Sequence, residues 1–161
     1  MYRPLRDIDS VISILSKISV WDGLTGEEQE KLYRRLEIGT FEKGEYVFQK
    51  GDQPTHVYIV KSGQIDLFNF DQNVTVQKQT VKTGECFGVS ALIAMQTHMV
   101  TAIAAEDSEV MVISRQALLG LRHEDIEVFA SLMMNVAKDI AQKLKLTDDI
   151  LLHHVRACKD G

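Results

Sequence analysis

Between Gly39 and Ser114 the chain is written in segments of four to eight residues that alternate apolar and polar side chains. Examples are Tyr46-Val47-Phe48, Val57-Tyr58-Ile59-Val60, Gln64-Ile65-Asp66-Leu67-Phe68, Val74-Thr75-Val76 and Val110-Met111-Val112-Ile113, the second and the last of them apolar throughout. A period of two puts alternate side chains on opposite faces of a strand. Gly44, Gly51, Gly63 and Gly84 stand at the breaks, where tight turns use residues free to take positive φ. Short strands with regularly placed turns predict a sandwich or barrel-like roll of about eight strands over residues 37–114.

Both ends carry a helical period instead. Ile8, Val11, Ile12, Leu15 and Ile18 are spaced for a helix over about residues 7–20, with Asp7 or Asp9 as cap. Thr25 with Glu28 three residues on is a capping-box pattern and opens a second helix running to about residue 36. Within the roll, residues 90 to about 95 read as a helical turn directly after Phe87-Gly88. Ser90 is either its cap or a ligand contact. Ser114 caps a helix over 115–121, and a longer helix begins near Glu124 and ends about residue 157. Phe129, Met133, Val136, Ile140 and Leu144 form its stripe, continuing to Thr147, Leu151 and Val155. The far part of that stripe has no roll left to cover, so a second copy of the chain is the expected partner.

A length of 161 residues with 45% hydrophobic and 25% charged residues suits one globular domain with its own core, residues 1–161 as a single unit. The net charge is −5, and acids intersperse Lys138, Lys143 and Lys145, which read as the wet face of a helix. No apolar run approaches the roughly 18 residues of a membrane span. The opening residues show no apolar export segment, and the two cysteines, Cys86 and Cys158, read as reduced thiols. Together these predict a cytoplasmic setting. The five histidines contain no His-x-His, and His153-His154 point apart on a helix, so no metal centre is predicted. No Ser-His-Asp or Cys-His grouping stands out, and the expectation is a protein that is not an enzyme.

The pattern Phe41-x-x-Gly44-x-x-Val47-x-x-x-Gly51-Asp52-x5-Tyr58-Ile59-Val60-x-x-Gly63 resembles the opening of the cyclic-nucleotide-binding domain family. Gly84-Glu85-Cys86-Phe87-Gly88-Val89-Ser90-Ala91-Leu92-Ile93 is similar to that family's phosphate-binding cassette, a turn leading into a short helix. The likeness covers about residues 20–155. It implies a double-stranded β-helix, a jelly-roll-like β-roll, with N-terminal helices and a long C-terminal helix. It also implies a regulatory, ligand-sensing role. Backbone N–H groups at Gly88, Ser90 and Ala91 would receive the anionic part of a cyclic nucleotide, cyclic AMP or cyclic GMP.

Two grips of the family are replaced. The residue after Phe-Gly is usually a glutamate that accepts the ribose 2′-hydroxyl; here it is Val89, which accepts nothing. The arginine that pairs with the cyclic phosphate falls at His98, followed by Met99 and, at a family hydroxyl, Thr101. An unpaired buried hydroxyl costs about 1–3 kcal/mol and a lost charge-assisted bond about 1.5–3 kcal/mol. At about 1.4 kcal/mol per decade, cyclic AMP affinity is expected to fall 100-fold or more.

Thr147 matches a long-helix threonine that contacts the purine in the catabolite-activator branch; its other reading is a cap or kink. The resemblance therefore implies a sensing module, here of weak cyclic-nucleotide affinity, that re-seats its C-terminal helices on binding so that an effector protein reads the change. The alternatives are a ligand-free dimerisation or interaction module and a sensor of another small anion. A DNA-reading helix-turn-helix is not expected before Gly161.

Overall fold

The computed structural model describes residues 1–6, 9–15, 18–71 and 74–159. A two-residue strand β1 (Arg3–Pro4) precedes helix α1 (Asp9–Leu15), a 3-10 turn (Ser19–Trp21) and helix α2 (Gly26–Tyr33). The roll follows as β2 (Glu37–Phe41), β3 (Tyr46–Phe48), β4 (His56–Ser62), β5 (Gln64–Asp71), β6 (Val74–Lys82) and β7 (Cys86–Phe87). Helix α3 (Val89–Ala94), β8 (Thr101–Ala104) and β9 (Ser108–Ser114) complete it, and α4 (Arg115–Glu124) and α5 (Ile126–Lys159) close the chain. This is the expected β-roll with N-terminal helices and a long C-terminal helix.

All pairings among the described strands are antiparallel. One sheet has the order β1-β2-β9-β4-β7 and the other β3-β8-β5-β6. The alternation along β4 and β9 sorts their side chains between two interiors. Tyr58, Val60, Val110 and Val112 face the space between the sheets, with Phe48, Ile65, Leu67, Val81 and Phe87. Val57, Ile59, Met111 and Ile113 face the helices, with Leu32, Leu36, Leu118, Leu121, Val128 and Leu132. The central strands are thus buried on both faces, which is why their apolar runs are nearly unbroken.

The capping box forms as read: Glu28 N–H donates to Thr25 Oγ1 at 3.4 Å and Thr25 N–H to Glu28 Oε2 at 2.7 Å. Ser114 Oγ accepts from Ala117 N–H at 3.1 Å and starts α4. The first helix is shorter than its stripe suggested, since residues 18–20 lie outside α1 and Ser19 and Val20 already belong to the 3-10 turn. The Asp7 alternative for its cap lies outside the described residues. Strand β1, which pairs Arg3 with Ile38 and Pro4 with Glu37, was not foreseen.

Candidate functional site

The cassette is built where β7 passes into α3. Gly88 caps α3 with φ 77°, a left-handed conformation that suits glycine. A Cβ at Gly88 would stand 2.8 Å from Tyr58 Cδ2, so the glycine also makes room for the aromatic wall of β4. That wall is continuous: the rings of Tyr58 and Phe87 stack at 5.0 Å, Phe48 lies 5.4 Å from Tyr58 and 5.9 Å from Phe87. Ser90 sits inside α3, exposed, and does not cap it; Gly88 takes that position without a side-chain bond. Ala91 is half-buried beside it.

Val89 is buried, and its side chain belongs to the interior under the helices together with Cys86 and Leu92. Its position three residues before Leu92 puts both on one face of α3. Valine here supplies core packing as well as lacking an acceptor.

His98 belongs to the other interior. Its ring lies on Phe48 with centroids 3.6 Å apart and planes 10° apart, and the residue is 3% exposed. Its main chain is fastened on both sides: His98 N–H donates to Asp52 O at 2.9 Å, and Gly51 N–H donates to His98 O at 2.8 Å. Its Nε2 has no hydrogen-bond partner. Burial pushes the imidazole below its ordinary range, and the Asp52 carboxylate offsets this only in part. His98 lies in the connection between α3 and β8, with its ring turned inward.

Thr101 is buried, its hydroxyl accepting from Lys50 N–H at 3.0 Å, so it ties the β3–β4 connection to β8. Met99 is exposed. Thr147 is exposed on α5 and donates its hydroxyl to Lys143 O at 2.9 Å, within an unbroken helix, so it neither caps nor ends it. Lys143 is more than wet surface: it pairs with Asp139 at 2.8 Å and its Nζ lies 3.4 Å from Cys86 O, two residues before Gly88. Burial pushes the Cys86 thiol up to about 12. Sequence reasoning missed Phe48 and Tyr58 as the wall of the site, and Asn135, whose buried amide donates to Val20 O at 3.0 Å and Asp22 O at 2.8 Å. An asparagine inside an apolar stripe was the available signal.

Two open grooves of about 400 Å³ lie elsewhere, one lined by Thr40, Glu42, Glu45, Asp107 and Glu109 and one by Arg3, Arg6, Ile38 and Lys61. Neither includes a cassette residue. Among the described residues no group of three His, Cys, Asp or Glu side chains is placed to hold a metal ion. Among the described residues no helix is long and apolar enough to cross a membrane.

Residues 38–125, more than half of the chain, match the model of the cyclic nucleotide-binding domain, and the chain belongs to that family. It is 30% identical over 103 residues to a cAMP-dependent protein kinase regulatory subunit of Eremothecium gossypii, covering 64% of this chain and 22% of that protein. To the cyclic AMP receptor protein of Thermus thermophilus it is 26% identical over 132 residues, 80% of this chain and 58% of that one. A solved cyclic nucleotide-binding domain from Methylobacillus flagellatus superposes with a TM-score of 0.82 at 15% identity, over 94% of this chain and 87% of that one. The chain thus spans less than two thirds of the length of these two curated relatives.

Proposed function

We propose that this chain is a non-enzymatic, regulatory sensing module, one unit over residues 1–161, that takes a small anionic ligand at the cassette. The observation that carries this reading is His98: a buried imidazole with an unpaired nitrogen at the position that family resemblance gives to the phosphate-gripping arginine. Gly88, Val89, Ser90, Ala91, His98, Met99 and Thr101 would line or shape the site. Cyclic AMP or cyclic GMP would bind weakly, because Val89 lends no acceptor and a neutral histidine lends one donor where arginine lends a charged fork.

A change at the cassette has a route outward. Lys143 touches the carbonyl of Cys86, so a shift of β7 and Gly88 is felt on α5. An effector protein would read the position of α5. The same helix supports homodimerisation: Leu144 and Leu151, one heptad apart, are 62% and 61% exposed, in contrast to the buried Val128, Leu132 and Val136 of its first turns. Thr147 lies on this surface and would approach a ligand from its own chain and from a partner's helix as well. The buried Cys86 thiol suits a cytoplasmic setting, and no direct DNA contact is proposed.

A thermal-shift panel of cyclic AMP, cyclic GMP, cyclic dinucleotides, other nucleotides and small organic anions tests the reading. A ligand that binds the folded chain raises the melting temperature with the logarithm of its excess. Silence across the whole panel sinks it in favour of a ligand-free dimerisation module. Strong stabilisation by cyclic AMP refutes the weak-affinity part. Light scattering tests the dimer, which a monomer at high concentration excludes.

A further inference from the structure

His98 Nε2 is the buried side-chain polar atom left without a partner among the described residues. Such atoms are rare in folded proteins, and each calls for an explanation. The surroundings explain why a proton matters here. Phe48 covers one face of the ring, and Phe48 is itself packed against Tyr58 of β4 and Phe87 of β7.

The charged and titratable groups nearby offer an imidazolium little. Asp52, from the β3–β4 connection, attracts it, but its carboxylate already accepts from Gln49 N–H at 2.8 Å. Lys50 of the same connection reaches away, its Nζ bonded to Asn69 Oδ1 and Phe70 O. On β4, burial holds the Tyr58 phenol protonated and pushes the His56 imidazole down; His56 Nδ1 is bonded to Thr55 Oγ1 at 2.8 Å. Burial outweighs Asp52 at His98. A neutral ring leaves one nitrogen unpaired there, whereas a charged ring would lie in an aromatic pocket facing a carboxylate that is already engaged. The next residue, Met99, is exposed, so solvent is one residue away.

We infer that His98 is a proton-operated plug of the cassette: uncharged, its ring stays stacked on Phe48 inside the roll, and on taking a proton it leaves the stack and offers its charge to an anion. The inference rests on the reading of the cassette as a ligand site. An arginine in this place carries its charge at every physiological pH. Histidine makes capture of an anion conditional on uptake of one proton.

The test uses the wild-type chain with labelled histidine, observed by NMR from pH 8 to pH 5, and His98→Phe only to assign the signal. At pH 8 the His98 ring protons sit upfield, under the face of Phe48. On acidification they return to solvent positions, with a midpoint below the roughly 6.5 of a free histidine. An upfield position kept through the whole titration overturns the plug, and so does a midpoint at or above that value. Calorimetry with cyclic AMP and with inorganic phosphate supplies the second arm. Affinity higher at pH 6 than at pH 8, with protons taken up on binding, supports the coupling; about tenfold is the ceiling for a one-unit shift. An affinity that ignores pH overturns it. If the ring leaves the stack on titration but neither probe binds at either pH, the plug stands and the anion-sensing reading falls.

Discussion

The two interiors on either side of β4 and β9 are built from the same strands and differ in what they tolerate. The interior under the helices is closed by apolar side chains, and its buried amide, Asn135, has both donor positions used on Val20 O and Asp22 O. The interior between the sheets holds the aromatic wall and, against it, an imidazole with an unused nitrogen. A satisfied interior specifies a fold; an interior with an orphaned polar atom holds something in reserve. In the proposed function the roll side is the working side and the helix side the frame that carries α5.

The comparison breaks if the two interiors unfold separately. Leu121 and Ile65 are fully buried, one in each. Leu121→Ala and Ile65→Ala are each expected to cost about 2–5 kcal/mol in urea unfolding. Because chain neighbours on β4 and β9, Ile59 with Val60 and Val110 with Met111, face opposite interiors, both variants should keep one cooperative transition; two transitions in either would show independent halves. Gly88→Ala probes the join between the interiors. It forces alanine to φ 77° and brings its Cβ to 2.8 Å from Tyr58 Cδ2, for about 2–3 kcal/mol. Gly84→Ala has the same kind of φ with nothing within 4 Å of the new Cβ and should cost only about 1 kcal/mol. Equal losses would mean that Tyr58 yields freely. Asn135→Ala leaves two carbonyls of the N-terminal turn without their donor, for about 1–3 kcal/mol; denaturation at constant m-value checks it.

How far the sequence carried this picture depends on the range over which each signal acts. Local signals were legible: the apolar runs bounded by glycines need only neighbours, and so do the caps at Thr25 and Ser114; the run Val57-Tyr58-Ile59-Val60, apolar throughout, does not say which side chains face which interior. Gly88 was read as a backbone donor to an anion, and the structure adds a reason for glycine in Tyr58, thirty residues earlier. A two-residue strand such as β1 has no period to detect. Val89 was read for the acceptor it lacks, whereas its packing with Leu92 under the helices depends on which face of α3 turns inward. The burial of His98 depends on Phe48, fifty residues before it in the chain, and no pattern around His98 encodes that contact. The second half of the α5 stripe was legible as apolar and uncovered, but an exposed stripe does not name its cover.

The smallest effect is the one that separates the interiors most sharply. His98→Phe keeps a flat ring against Phe48 and removes the unpaired nitrogen, so at pH 7.5 it should stabilise the chain by about 1 kcal/mol. That sign is opposite to every substitution above. Its pH dependence follows from the direction of the shift. The folded chain holds His98 below its ordinary range, so below about pH 6.5 the unfolded chain binds the proton more readily. The stability that neutral His98 allows is therefore complete above about pH 6.5 and is lost as pH falls from there through the folded-state value. His56, shifted the same way by burial, contributes equally to wild type and variant and cancels in the difference. Melting curves of the pair from pH 8 to pH 5 should thus diverge on the acid side, with wild type falling faster. Parallel curves would mean that His98 is accommodated when charged, and the contrast between a satisfied and a reserved interior would lose its chemical basis.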